Sequence, residues 1–128
     1  MKPMKLIVLA TFLTATAVGA QEPPFKRTVL QQGDLSVAGR EAVTARVDIP
    51  QGVSVGKHTH PGEELGYVVE GTLQLLVDGQ PPKTIKAGEV FFVPAGVVHD
   101  GKNVGKGKAV VLATYVVEKG KPVATAIK

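Results

Sequence analysis

Alternating apolar and polar residues predict the first core strand of this chain. Residues 42–49 alternate small or β-branched apolar side chains with Thr44, Arg46 and Asp48, and Pro50 follows directly. Successive side chains of a strand point to opposite faces, so a period of two is typical of a strand with one buried face. We therefore predict a strand over 42–49 that ends at the proline.

Two further apolar runs lie on either side of Gly71. Residues 65–70 precede the glycine, residues 72–77 follow it, and Asp78 with Gly79 comes after the second run. Asp-Gly is a strong turn signal between strands. The two runs are predicted to be neighbouring antiparallel strands.

Short strands continue through the second half of the chain. Residues 83–86 and 90–93 form two of them, and Pro94-Ala95-Gly96 stops the second before a strand that begins over 97–99. Residues 109–117 are almost continuously apolar, which predicts a strand buried on both faces. Only the N-terminal segment has the pattern of a helix, so the predicted fold class is all-β.

The first twenty residues have the organisation of an export signal. Lys2 and Lys5 give a positive start, residues 6–13 are mostly apolar, and small residues at 18–20 precede a predicted cut before Gln21. A membrane anchor is the alternative, but the apolar run is shorter than the roughly 20 residues that a spanning helix needs. We expect a periplasmic or secreted protein with no membrane attachment after the signal is removed.

Composition limits the partners of the mature chain. The formal charge of +4 falls to +2 without the signal, because that segment carries two lysines and no acidic residue. This balance gives no reason to expect a nucleic-acid partner. The chain has no cysteine, so no disulfide stabilises it and no thiolate competes for metal. The remaining length suffices for one compact domain.

The three histidines and one glutamate form a candidate metal site. His58 and His60 are two residues apart, Glu64 follows a proline-glycine turn, and His99 lies far downstream. Residues two apart in a strand point to the same side, so His58 and His60 can hold one ion. Imidazole suits Zn, Cu, Fe and Ni, and a carboxylate adds a harder, charged ligand. The set predicts one divalent transition metal, with Fe, Mn, Ni, Cu and Zn all open.

Glycines and prolines surround these ligands at a specific spacing. In chain order the pattern is Gly52, His58, His60, Glu64 and Gly71, then Gly88, Pro94, Gly96, His99 and Asn103. This pattern resembles both halves of the cupin signature at every position. The resemblance implies a jelly-roll β-barrel in which the four ligands point inward at a metal. It also favours a homodimer, in which terminal arms pack across the partner subunit.

The resemblance also suggests how the chain is organised. A signal peptide would occupy residues 1–20, an N-terminal arm and first strand 21–41, the cupin β-barrel 42–118, and a C-terminal tail 119–128. Residues 21–26 and the tail from Lys119 are both expected to be loose arms.

A fold resemblance does not carry a reaction, because cupins include dioxygenases, decarboxylases, isomerases, lyases and proteins that only bind. The first hypothesis is an exported metal-dependent oxidoreductase of the dioxygenase type, acting on a small oxygen-chelating substrate. Glu64 is its candidate proton acceptor. The alternatives are a non-catalytic protein that binds or senses a metal or small ligand, and a non-redox metal-dependent lyase, decarboxylase or isomerase.

Other polar residues are candidates for substrate contact or for support of the site. Arg46 lies on the polar face of its strand, which favours a surface guanidinium, and Tyr67 is a second candidate. Tyr115 lies among buried residues, where its hydroxyl needs a partner. Asn103 is predicted to hold its loop through side-chain to backbone hydrogen bonds. The lysine-rich loop 101–108 lacks the order of a phosphate-binding loop and is predicted to be a solvated turn.

Overall fold

The computed structural model describes Gly19, Gln21 and residues 23–128, so nearly all of the predicted signal lies outside the described residues. In that part of the chain every helix or strand element is a β-strand. The ten strands are β1 (Lys26–Asp34), β2 (Arg40–Ile49), β3 (His58–Thr59), β4 (Gly62–Glu70), β5 (Thr72–Val77), β6 (Lys83–Lys86), β7 (Val90–Val93), β8 (His99–Asn103), β9 (Ala109–Glu118) and β10 (Thr125–Ala126). Among the described residues, no helix has the length and apolar character needed to cross a membrane.

The strands form two five-stranded antiparallel sheets. The first sheet has the order β1-β2-β9-β4-β7, and the second has the order β10-β3-β8-β5-β6. The longest unbroken ladder joins β2 to β9, from Arg40 opposite Glu118 to Ile49 opposite Ala109. Each sheet takes strands from both halves of the chain, so side chains far apart in sequence can meet between the sheets.

Alternation along the strands builds the core. On β2 the odd-numbered residues Val43, Ala45, Val47 and Ile49 are buried, while the even-numbered ones are only half-buried. Strands of both sheets contribute to the same hydrophobic cluster. Burial of apolar surface contributes roughly 25 cal/mol per Å², which favours the inward orientation of the apolar face of β2.

Several sequence predictions are confirmed. The fold class is all-β over the described residues, and the strand predicted over 42–49 is β2, which begins two residues earlier at Arg40. The short strands predicted over 83–86 and 90–93 are β6 and β7. The strand predicted to begin over 97–99 begins at His99.

The predicted pairing of the two runs around Gly71 is wrong. These runs are β4 and β5, but β4 lies between β9 and β7 in one sheet and β5 lies between β8 and β6 in the other. Gly71 has a φ of +82°, and a Cβ there would meet the backbone of Lys108 and Ala109. Only glycine tolerates both conditions, so Gly71 forms the corner at which the chain passes between sheets.

The prediction that 109–117 is buried on both faces is also wrong beyond Val111. The first three residues of β9 are buried, but from Leu112 onward every second side chain faces outward. Leu112 itself is 36 % exposed. The strand therefore has one buried face over most of its length, despite its apolar outer residues.

The C-terminal tail folds back on its own barrel and is not a loose arm. β10 pairs with β3 at the edge of the second sheet, and the N–H of Ile127 donates to the carbonyl of Lys57 at 2.9 Å. This path brings the carbonyl of Val123 within 2.6 Å of Nδ1 of His60. The tail is thus a part of the structure that surrounds the histidines.

Candidate metal centre

Four side chains from the two sheets meet between them. His58 in β3 and His99 in β8 lie directly opposite each other in the second sheet. Glu64 lies in β4 of the first sheet, and His60 directly follows β3. All four are buried, and their ligand atoms lie within 4.8 Å of one another. The structure therefore brings together all four of the residues that the sequence predicts as ligands.

Each imidazole ring is oriented by a backbone carbonyl group. The Nδ1 atom of every ring lies 2.6 to 2.9 Å from a carbonyl oxygen. The pairs are His58 with Gly56, His60 with Val123, and His99 with Val97. A carbonyl oxygen can only accept, so each Nδ1 carries the hydrogen and donates it. In a neutral ring this leaves the Nε2 lone pair free, as in a metal-ligating histidine.

Glu64 lies at the centre of the group. Its Oε2 atom is 3.0 Å from Nε2 of His60 and 3.0 Å from Nε2 of His99. Burial raises the pKa of the Glu64 carboxyl, but the hydrogen bonds with the two rings outweigh burial and lower the pKa to about 2. The carboxylate is therefore ionised at neutral pH.

The environment moves the pKa values of His58 and His99 in opposite directions. Burial lowers the pKa of His58 to about 4, despite the hydrogen bond with Gly56, so this ring is neutral at pH 7. Burial also lowers the pKa of His99, but the hydrogen bond with Glu64 more than offsets this effect, and the pKa is raised from its ordinary 6.5. The rings differ because Glu64 is bonded to His99.

A cation fits between the rings and the carboxylate. When His60 and His99 are neutral with Nδ1 donating, their Nε2 lone pairs face the Glu64 oxygen at 3.0 Å, which is repulsive unless a proton or a metal lies between. Ligand atoms bound at about 2.0–2.2 Å to one ion are at most about 4.4 Å apart. A movement of roughly a few tenths of an ångström would bring the observed set within that limit. The donor set suits a divalent transition metal.

A small, mostly apolar cavity adjoins the four side chains. His58, Glu64 and His99 form one part of its wall, and Arg27 and Tyr115 are the other polar side chains on it. Most of the remaining lining is apolar, including Leu73, Leu75, Phe91 and Val111. The cavity has about 30 Å³ of space for water-sized molecules. Such a space holds about one or two waters, so only a compact ligand fits unless the walls move.

Comparison with known protein families agrees with the fold and the site. The family model described as the cupin domain matches residues 45–115, more than half of the chain. The chain belongs to the cupin family. The matched residues include all four candidate ligands of this cupin.

Curated cupin relatives are longer than this chain. It is 43 % identical over 76 residues to germin-like protein subfamily 2 member 2 of Arabidopsis thaliana, covering 56 % of this chain and 35 % of that protein. It is 34 % identical over 53 residues to dimethylsulfoniopropionate lyase DddQ of Ruegeria pomeroyi, covering 41 % of this chain and 26 % of that protein. The chain thus spans about a third or less of the length of these two relatives.

Solved structures share the cupin fold. DMSP lyase DddQ from Ruegeria pomeroyi aligns with a TM-score of 0.67 at 21 % identity, covering 80 % of this chain and 51 % of that chain. An oxalate oxidase in complex with the substrate analogue glycolate aligns with a TM-score of 0.66 at 24 % identity, covering 93 % and 63 %. At these identities the likeness shows the fold alone, which is the jelly-roll β-barrel expected from the resemblance.

Arg46, Tyr67 and Tyr115 are the three polar candidates for substrate contact. Of these, only Tyr115 lines the cavity of this cupin. Its ring is 1 % exposed and lies 4.6 Å from the His60 ring, between centroids. Burial, and to a lesser extent the charge of Glu64, raises the pKa of the Tyr115 phenol to about 12, so the hydroxyl stays protonated. Arg46 is a surface guanidinium bonded to Asp48, as predicted, and Tyr67 is 43 % exposed.

Asn103 holds its loop as predicted. Its Nδ2 donates to the carbonyls of Ile49 at 2.9 Å and Gly107 at 2.7 Å, and its Oδ1 accepts from the N–H of Gly105 at 3.0 Å. The side chain is 1 % exposed and is not part of the cavity wall. It therefore supports β8, the strand that begins with His99, from the far end.

Sequence reasoning missed Arg27 and two glycines of β4. Arg27 is the one residue of β1 that is not exposed, so no alternating pattern marks it. A Cβ on Gly62 would meet the backbone of Val116, and one on Gly66 would meet the Phe91 ring. A glycine inside a strand signals close approach of a neighbour, and that signal was available for both glycines.

Proposed function

We propose that this cupin is an exported metal-dependent oxidoreductase of the dioxygenase type. Its proposed metal ligands are His58, His60, Glu64 and His99. The observation that carries the proposal is the convergence of three carbonyl-oriented imidazoles and one ionised carboxylate beside a small cavity. An oxalate oxidase that shares this fold at 24 % identity is one precedent for oxidoreductase chemistry on such a barrel.

A bound metal would supply Lewis acidity and, for Fe, Mn, Ni or Cu, redox chemistry. The chain's own residues have separate tasks. The apolar walls limit the number of water molecules beside the substrate. Tyr115 keeps its proton at neutral pH and presents its side chain to the cavity. Glu64 is ionised, but the two histidines lower its pKa to about 2 and make it a weak base, so it would accept a proton from a substrate oxygen only after it moves off the metal and away from those rings.

The proposed substrate is compact and binds through oxygen atoms. The space in the cavity is about 30 Å³, which excludes large ligands in the present arrangement of the walls. A small enol, phenol or carboxylate could occupy it after a modest outward movement of wall side chains. Oxygen donors match the divalent metals that this ligand set favours.

The first experiment measures metal content. Wild-type protein, His60→Ala and Thr59→Ala would be purified from the native compartment, dialysed and analysed for transition metals. His60→Ala removes a ligand and should lose most of the metal, whereas Thr59→Ala changes the half-buried neighbour and is the matched control. A wild-type protein that retains no transition metal under these conditions contradicts the proposal.

The second experiment measures turnover. Metal-loaded protein would be mixed with small 2-hydroxy acids, dicarboxylates, phenols and enols while dissolved oxygen is recorded. We expect oxygen consumption with at least one substrate class, and none above background with His60→Ala. Metal-loaded protein that consumes no oxygen with any class contradicts the oxidoreductase but not the metal site.

A non-redox lyase is the second candidate. It is favoured by the match to DMSP lyase DddQ in both sequence and fold. The same substrates would then be converted without oxygen, which mass analysis of anaerobic reactions detects. Tight binding with recovery of unchanged ligand would instead identify a protein that only binds.

Export and a homodimer are further parts of the proposal. The sequence pattern of residues 1–20 supports export, and mass spectrometry of protein made in its native host should find Gln21 at the mature N-terminus. The homodimer rests on the family resemblance, and light scattering tests it. Because the tail pairs with β3 of its own chain, a dimer would use another part of the surface.

A further inference from the structure

Arg27 projects from the first sheet toward the proposed metal centre. It lies in β1 directly opposite Val47, a core residue of β2. Arg27 lines the same cavity as His58, Glu64 and His99. Its guanidinium carbon is 5.4 Å from the centre of the Phe25 ring and 5.7 Å from that of Tyr115. Two aromatic rings thus hold a positive group at the cavity wall.

The Arg27 guanidinium lacks a carboxylate partner within residues 23–128. The other two arginines of the chain have one, because Arg40 pairs with Glu63 at 3.5 Å and Arg46 pairs with Asp48 at 2.9 Å. The Nε atom of Arg27 is buried and forms no hydrogen bond there. A buried donor without an acceptor is costly. The buried Nε–H of Arg27 could therefore donate to an acceptor atom of a bound ligand.

Arg27 also lies on an outer groove. The groove is lined on one side by the Pro23-Pro24-Phe25 segment, and Lys26 and Lys108 add two positive charges. One carboxylate, Asp48, lies on the groove, where it pairs with Arg46 at 2.9 Å and with Lys108 at 3.8 Å, so the groove keeps a net positive charge. Arg27 is the one residue common to the linings of the groove and the metal cavity. A positive groove favours the approach of an anion.

We infer that Arg27 is the anion-binding residue of this cavity, and that the substrate is a compact carboxylate or similar oxyanion. One substrate oxygen would bind the metal, and the anionic group would accept hydrogen bonds from the Arg27 guanidinium. This inference rests on the proposed metal site and narrows its substrate class. The competing interpretation is that Arg27 only packs between Phe25 and Tyr115 and donates a hydrogen bond to the Tyr115 hydroxyl.

The test uses formate as the probe, with Co²⁺ as the metal because its visible spectrum reports ligand binding. Wild-type protein would be compared with Arg27→Gln and Arg27→Met, the second of which keeps an unbranched apolar stem between the two rings. Arg40→Gln is the matched control, because Arg40 is a strand arginine that pairs with Glu63 and lines neither the groove nor the cavity. Formamide, a neutral molecule of similar size, is the control ligand.

Loss of a charge-assisted hydrogen bond should weaken formate binding roughly 10- to 100-fold in both Arg27 variants. Formamide binding should change by less than about twofold, Arg40→Gln should match wild type, and all variants should bind one Co²⁺. Formate binding that is unchanged in a folded, cobalt-loaded Arg27 variant overturns the inference while leaving the metal site intact. If wild-type protein binds no Co²⁺, the proposed metal site and the inference fail together. Circular dichroism identifies a variant that does not fold, and the other variant then decides the outcome.

Discussion

Deleting the C-terminal tail tests how far the orientation of His60 controls metal binding. Removal of residues 123–128 takes away the Val123 carbonyl, which accepts the Nδ1–H hydrogen bond of His60 at 2.6 Å. It also removes β10, which consists of two exposed residues. We expect the barrel to stay folded, because the deletion removes no buried member of the hydrophobic cluster and only one partly buried residue packed against it, Val123. Metal affinity should fall.

The size of the effect follows from what replaces the lost carbonyl. Loss of a partner that orients a ligating histidine typically costs about 10- to 100-fold in metal affinity. The deletion uncovers Nδ1 of His60, so water can accept its hydrogen bond and no buried donor remains without a partner. The remaining loss of metal affinity comes from the His60 ring, which can then rotate away from the metal-binding orientation. We therefore expect the lower end, about tenfold, which equals about 1.4 kcal/mol.

Competition with a chromophoric chelator measures this affinity for Zn²⁺. The matched control is deletion of residues 125–128, which removes β10 but keeps Val123. The expected order of affinity is full-length chain, then the shorter deletion, then the longer one. If deletion of 123–128 leaves Zn²⁺ affinity unchanged, the carbonyl does not orient His60 and the reasoning is wrong.

Three further predictions concern stability and pH. Asn103→Ala removes three hydrogen bonds from a buried side chain and should lower the free energy of unfolding in urea by about 3 kcal/mol. Gln31→Ala removes one exposed bond to Thr44 and should cost less than about 0.5 kcal/mol, so equal losses would contradict the argument. Gly66→Ala places a methyl group against the Phe91 ring and should cost about 1–3 kcal/mol in thermal unfolding, whereas Gly33→Ala, which meets no atom within 4 Å, should cost much less. The pKa of His99 is raised in the metal-free protein because its hydrogen bond with Glu64 outweighs burial. The protonated His99 ring therefore stabilises the folded state below pH 6.5, and this stabilisation is lost as pH rises through the folded-state pKa. Metal must displace that proton, so Zn²⁺ affinity should fall as pH falls through the same range, and a pH-independent affinity would argue against His99 as a ligand.

The candidate site could be predicted from the sequence because its residue types and spacing are both unusual. His58 and His60 lie on one side by strand alternation, and the structure places both beside Glu64 and His99. The hydrogen bonds of Asn103 also followed from local chemistry. In each case the information lies within a few residues of chain or within the family pattern.

Strand partners and the cavity wall could not be predicted in the same way. Alternation indicates which face of a strand is buried but not which strand lies beside it, so it cannot distinguish the corner at Gly71 from a turn between two paired strands. On β9, Leu112 and Val116 are apolar on the outer face, and hydrophobicity alone cannot distinguish them from core residues. Arg27 reaches the cavity from a strand whose other residues are exposed, so only the tertiary structure identifies it.

The ladder between β3 and β8 contains one residue pair, His58 opposite His99. An ion bound by these two rings and by Glu64 of the opposite sheet would act as a cross-link across the barrel. The chain has no cysteine that could supply such a bond covalently. A ligand that binds only the native state adds about 2.7 kcal/mol of stability at 100 times its Kd. A competing chelator would thus remove the metal from the proposed centre. It would also lower the resistance of the protein to thermal unfolding and proteolysis.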